Sequence, residues 1–136
     1  LTKTLFRIER FASEIPDPVV VLTLPWPPSV NHYWRHAVVG HRPQTYISAE
    51  GKRFRADVEA ACLAAWRGTL TGRLAVEILA TMPDHRARDI DNLAKATLDA
   101  LQYAGVFQND NQIDRLVVAR AGVEPPGRIE VRIAVL

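Results

Sequence analysis

Asp89 and Asp91 stand two residues apart, Lys95 follows four residues after Asp91, and Asp110 arrives five residues after Gly105. Carboxylates are the hard oxygen donors that magnesium takes. That ion prefers octahedral ligation, keeps several waters, and is usually held by one or two carboxylates together with substrate phosphate. An ammonium one helical turn beyond Asp91 adds a point charge suited to a phosphorane-like transition state or to an attacking water. The chemistry these parts suit is metal-assisted phosphodiester hydrolysis, in which a cation polarises the phosphoryl oxygen and lowers the pKa of bound water. Each residue also has a purely structural reading: Asp91 as a helix cap, Asp89 and Asp110 as loop residues beside strands, Lys95 as a solvated lysine.

A chain of 136 residues has room for one domain around one core. Its 48% hydrophobic and 24% charged residues are ordinary for a globular protein. No apolar run approaches the roughly 18 residues of a membrane span. Lys3, Arg7, Glu9 and Arg10 interrupt the first residues, so no secretory h-region develops and a cytoplasmic protein without membrane contact is expected. The single cysteine, Cys62, agrees with a reducing compartment and reads as a small buried hydrophobe. The formal charge is +2, and setting Asp89, Asp91 and Asp110 aside for a cation leaves +5 on the rest. Fourteen of the seventeen bases are arginine, whose forked donors match phosphate oxygens, although a GC-rich genome would give the same abundance.

The elements that must position these residues follow from periodicity and punctuation. Residues 1–18 read as an N-terminal extension, with Leu5, Ile8, Phe11 and Ile15 at helical spacing before Pro16 and Pro18; residues 19–136 form the domain. Val19–Leu24 predicts a largely buried strand, and His36–Ile47 a short hairpin around Gly40. Ser48 caps a helix running to about Trp66, with Phe54, Val58, Ala61, Cys62 and Ala65 on one face and Gly68 beyond its end. Residues 73–82 alternate as a half-buried strand that leads into the acidic stretch. Asp91 is expected to cap the next helix, whose core face is Leu93, Thr97, Ala100, Leu101 and Ala104. Strands over 113–121 and 128–136, joined through Pro125-Pro126-Gly127, complete a β-α-β-α-β-β order. The expectation is a single α+β domain, two helices on a mixed sheet, with the Asp110 loop converging on Asp89 and Asp91.

Between the first strand and the first helix lies Val30-Asn31-His32-Tyr33-Trp34-Arg35-His36, aromatics mixed with bases. Such a segment suits stacking on nucleobases and gripping phosphates, or equally a surface loop pinned by two buried rings. His32, His36 and His41 have zinc-like gaps but no cysteine or glutamate nearby to complete a site.

Leu24-Pro25-Trp26-Pro27-Pro28-Ser29 with Asn31, Tyr33 and Arg35, then Ser48-Ala49-Glu50-Gly51, Met82-Pro83-Asp84, Arg88-Asp89-Ile90-Asp91-Asn92-Leu93 with Lys95, Asp99-Ala100-Leu101, and Gly105 leading to Asp110 and Gln112, run in this order. Together they resemble the RusA family of Holliday junction resolvases from about residue 19 to the C-terminus. The resemblance implies a magnesium-dependent endodeoxyribonuclease of bacteria and their phages, with manganese as a substitute ion, acting in recombination and repair. It implies a homodimer on branched, four-way DNA, since a two-fold junction must be cut in two strands. By resemblance the catalytic residues are Asp89, Asp91, Lys95 and Asp110, the three aspartates holding metal. Asn31, Tyr33, Arg35, Arg86 and Arg88 are the expected DNA contacts. Two departures stand out: His85-Arg86-Ala87-Arg88 stands where some relatives carry an unbroken basic run, and Asn109 stands where a second acidic residue can precede Asp110. The competing functions are a non-catalytic junction-binding protein and a magnesium-dependent nuclease for other branched DNA.

Overall fold

The acidic stretch leaves the end of a strand that is buried along its whole length. In the computed structural model, which describes residues 13–66 and 68–136, this strand is β4 (Leu74–Met82), and all nine of its residues are buried. It is preceded by β1 (Val20–Pro25), the one-turn helix α1 (Val30–Tyr33), the hairpin strands β2 (Trp34–Val39) and β3 (Arg42–Ile47), and α2 (Ala49–Ala65). It is followed by α3 (Ala94–Tyr103), β5 (Ile113–Val123) and β6 (Arg128–Val135). The main sheet runs β1-β6-β4-β5, antiparallel except for the parallel pair β4 and β5; β2 and β3 pair with each other in a second, two-stranded sheet. This is an α+β domain on a mixed sheet, with α1 and the hairpin inserted into the expected order.

The half-buried reading of residues 73–82 is corrected to a fully buried central strand, because both faces of β4 are covered. Leu74, Val76, Ile78, Ala80 and Met82 join the core formed with α2 and α3. On the other face Ala75 packs with Ile15 and Ala134, and Leu79 with Ala119 and Ala121. Glu77, which alternation assigned to solvent, is buried among partners. Its carboxylate accepts from the Glu14 backbone N–H at 3.1 Å and the Ser13 hydroxyl at 3.3 Å, and pairs with Arg132 at 3.3 Å. A buried carboxylate needs such partners to remain tolerable. The helical spacing of Leu5, Ile8 and Phe11 lies outside the described residues. Strand β1 is corrected in the opposite sense: as a sheet edge it buries Val20, Leu22 and Leu24 while Val19 and Val21 are about half exposed.

Local chemistry sets the connections. The hairpin turns through Gly40 and His41, and Gly40 takes the positive φ of +64° that a two-residue hairpin favours. Ser48 caps α2, its Oγ accepting from the Gly51 N–H at 3.0 Å while donating to the Tyr33 carbonyl at 3.0 Å. Gly51 is itself required by packing, since a Cβ there would sit 2.6 Å from the Tyr33 carbonyl oxygen and 2.7 Å from Ile47 Cγ2. The serine and glycine together dock α1 and the hairpin onto the start of α2. Gly127, at φ +84°, lets the β5–β6 turn approach Pro83, where a Cβ would lie 2.9 Å from the backbone nitrogen. That turn thereby fixes the point at which the acidic loop begins.

Gly51→Ala tests the docking. Alanine favours a helix interior by about 1 kcal/mol over glycine, yet overpacking typically costs about 1–3 kcal/mol. Chemical denaturation is expected to show net destabilisation; a more stable variant would contradict the close approach.

Candidate functional site

The loop from Pro83 to Asp89 is held by an arginine clip. Asp84 accepts from the Arg86 backbone N–H at 2.9 Å, from Arg86 Nε at 3.2 Å, and from both terminal nitrogens of Arg88, one of them at 3.0 Å. The Arg88 hydrogen bonds, then the Arg86 N–H, hold the Asp84 carboxyl well below the usual carboxylate range. Arg88 also lies over the Trp26 ring, 6.0 Å from its centroid. The Arg88 carbonyl accepts a hydrogen bond from the Arg120 guanidinium on β5. Of the two arginines expected to meet DNA, Arg88 is thus largely committed within the chain, while Arg86 remains exposed beside its Asp84 contact.

Asp89 follows in an extended conformation and opens a 3-10 turn, Ile90–Leu93, that contains Asp91. Helix α3 starts only at Ala94, and its N-cap position is Leu93. Asp91 is therefore not the helix cap that its spacing suggests; the intervening turn leaves its carboxylate outside the helix's first N–H groups. Asp89 and Asp91 are exposed, and neither side chain makes a hydrogen bond or ion pair among the described residues. Asp89 lies on a cleft of about 630 Å³ walled by Trp26, Ser29, Arg88, Asn92 and Arg120. An uncommitted carboxylate on an open cleft, with a second two residues further along the same loop, fits the donor set of a magnesium ion that shares its coordination with phosphate and water.

Lys95 extends from the first turn of α3, exposed, with Nζ 5.7 Å from the centroid of Trp34. Trp34 is held edge-on by Tyr33, their ring centroids 4.3 Å apart. Tyr33 was expected to touch DNA and is corrected: its ring is wholly buried, against Phe54 as well as Trp34. Its hydroxyl donates to Asp99 and accepts from Arg55 Nε at 2.9 Å, while Arg55 Nη2 pairs with the same Asp99 oxygen at 2.9 Å. Burial and then the Asp99 hydrogen bond push the Tyr33 phenol well above its ordinary range. This half-buried triad joins α1, α2 and α3. Asp99 stands one turn after Lys95, so the triad fixes the helix that carries the lysine. Asn31 and Arg35, the remaining expected DNA contacts, are exposed and make no side-chain hydrogen bond or ion pair among the described residues.

Asp110 does not converge on this loop within the chain. It opens the 3-10 turn Asp110–Gln112, its N–H donating to Gln102 Oε1 at 2.9 Å near the C-terminal end of α3. Gln112 donates to the Gly72 carbonyl at 3.0 Å, and the next residue, Ile113, pairs with Leu74 at the start of β4. Asp89 and Asp91 instead lie beyond the other end of β4, near Arg120, which pairs with Ala80. Six strand residues, about 20 Å at 3.3 Å each, separate these two ends. Among the described residues no three His, Cys, Asp or Glu side chains gather as a metal site. Asp110 is exposed, its carboxylate also without a partner.

Sequence reasoning missed Arg120, Trp26, Asp84 and the Arg55–Asp99 pair as parts of this region. The four-residue spacing of Asp84 and Arg88 was the one local signal; the others depend on contacts between distant segments. His32 Nδ1 and His36 Nδ1 lie 3.0 Å from the hydroxyls of Ser29 and Thr45.

The chain matches the family described as Endodeoxyribonuclease RusA over residues 25–134. It is 39% identical over 114 residues to the crossover junction endodeoxyribonuclease of Enterobacteria phage HK97, a span covering 83% of this chain and 92% of that protein. It is 41% identical over 113 residues to the protein of the same name from Escherichia coli K12, covering 82% and 91% respectively. A 41% identical counterpart of similar coverage occurs in Enterobacteria phage 82.

Tyr33→Phe removes the hydroxyl at the centre of the triad and is expected to cost roughly 1.5–3 kcal/mol in denaturant unfolding. The sign of its pH effect is also set. A phenol whose pKa is raised by folding stabilises fully below its unfolded value near 10 and loses that contribution as pH rises further. Wild type should therefore lose stability above about pH 10 more steeply than Tyr33→Phe; parallel curves would contradict the hydrogen-bonded burial of the Tyr33 phenol.

Proposed function

Because the chain belongs to the RusA family of endodeoxyribonucleases, we propose that it resolves four-way DNA junctions by paired phosphodiester hydrolysis, as a magnesium-dependent homodimer. It is a hydrolase of the crossover junction type. The observation that carries the reading of its centre is the pair of uncommitted carboxylates on one loop, Asp89 on the cleft and Asp91 two residues further on, in the turn that leads into Lys95's helix.

In this reading Asp89 and Asp91 hold magnesium, or manganese in its place, and the bound ion supplies Lewis acidity and an activated water. Lys95 stabilises charge that develops on the phosphoryl oxygens; its position depends on α3 staying locked through Asp99, Tyr33 and Arg55. The Asp84 clip keeps the loop before Asp89 in one shape, so that little reorganisation is left for the reaction. Asn31, Arg35 and the exposed side of Arg86 contact DNA around this centre. Asp110 would help to hold the cation from the second copy, since its own Asp89 loop lies beyond the opposite end of β4, about 20 Å away. A dimer then carries two shared centres, matched to the two strands that a two-fold junction must lose.

Residues 19–136 are the nuclease domain in this proposal and residues 1–18 an extension of it. None of the described helices is long and apolar enough to cross a membrane. We assign the protein to the bacterial cytoplasm, where its DNA substrate lies. A phage or prophage origin is in keeping with relatives from phages HK97 and 82.

Cleavage of a synthetic four-way junction tests the reading. Wild type with magnesium is expected to cut opposite strands. EDTA should abolish cutting, and Asp91→Asn should slow it about a hundredfold or more. Sedimentation should give twice the chain mass. Equal cutting by Asp91→Asn would remove that residue from the centre; a monomeric, active protein would remove the dimer.

A further inference from the structure

Arg120 is the basic side chain on the Asp89 cleft that no carboxylate claims. Arg88 shares that cleft, but its two terminal nitrogens are turned to Asp84. Arg120 makes one hydrogen bond among the described residues, from Nη2 to the Arg88 carbonyl, and no ion pair. A guanidinium has five N–H donors, so most of its fork remains free toward the cleft.

The backbone accounts for its aim. Ala80 pairs with Arg120 and Thr81 with Gly122, which makes Ala121 an extra residue in β5. A bulge of this kind twists a strand locally and redirects a side chain, and bulges recur next to active sites. Ala119 and Ala121 pack against Leu79 on the far face of the sheet. Arg120 is left on the near face, against the residue that precedes Asp89.

We infer that Arg120 grips a DNA phosphate beside the Asp89–Asp91 loop, a binding role that rests on the junction-cutting reading above. A phosphate drawn to a cation at Asp89 would come to the cleft that Arg120 also lines. There a planar fork can take two phosphate oxygens at once, which an ammonium cannot. The bond to the Arg88 carbonyl fixes the guanidinium beforehand and ties its position to that of the metal loop.

The test uses the full-length protein, a labelled four-way junction, and EDTA to prevent cutting. Arg120→Gln is expected to bind roughly tenfold or more weakly, and its log–log salt slope should fall by about one unit. Arg120→Lys, which keeps the charge but loses the fork, should retain the slope and recover part of the affinity. Junctions carrying one neutral methylphosphonate, scanned around the cleavage linkages, separate contact from mere support of the loop. At one linkage wild type should lose affinity while Arg120→Gln loses no more, the non-additivity of two changes to one contact. Wild-type affinity and slope in Arg120→Gln, or equal losses for both proteins at every linkage, would overturn the inference. Wild type that neither binds nor cuts the junction, with its thermal unfolding intact, would instead overturn the junction reading itself.

Discussion

Parallel pairing of β4 with β5 is the constraint on which the rest of this molecule depends. Two parallel neighbours cannot be joined by a hairpin; the chain must cross from the end of the first to the start of the second. Here α3 makes that crossing. One connection, carrying Asp89 and Asp91, lies beyond the end of β4. The other, carrying Asp110, lies before the start of β5. The three aspartates are near one another in sequence and at opposite ends of one β-α-β unit in space.

The rigidity around the first connection has separable sources. Burial of both faces of β4 anchors the strand, the approach of Gly127 to Pro83 fixes where the loop departs, and the Asp84 clip shapes the residues before Asp89. On the helix side, Tyr33 and Arg55 converge on Asp99 and hold α3 to α1 and α2. These contacts engage Asp84 and Asp99 and leave Asp89 and Asp91 unpaired. That division is chemically sensible: carboxylates already neutralised by arginine are poor candidates for a cation, whereas exposed and unpaired ones retain their oxygens for it.

Much of the fold was legible because its signals are local. Gly40, the Ser48 cap and the turn before Arg128 all mark boundaries where the structure has them, since a positive φ or an N-cap is decided by a few neighbouring residues. What failed was long-range. Alternation assigned Glu77 to solvent because nothing near it in sequence reveals Ser13, Glu14 and Arg132 across the far face. Tyr33 read as a DNA contact because its partners Arg55 and Asp99 come from two later helices. Asp91 read as a cap because the 3-10 turn before α3 leaves no periodic trace. Convergence of Asp110 was the largest miss: strand order decides it, and spacing alone does not distinguish a neighbouring strand end from an opposite one.

The central claim is that each centre is shared between two copies, Asp89 and Asp91 from one and Asp110 from the other. Junction cleavage by heterodimers of Asp91→Asn and Asp110→Asn, purified by two different tags, measures this directly. If the centre is shared, one of the two sites in each heterodimer is intact. Proteins that are inactive alone should then nick one strand of the junction together. If all three aspartates act within one chain, both sites remain broken, and a verified heterodimer as inactive as either parent would contradict the account.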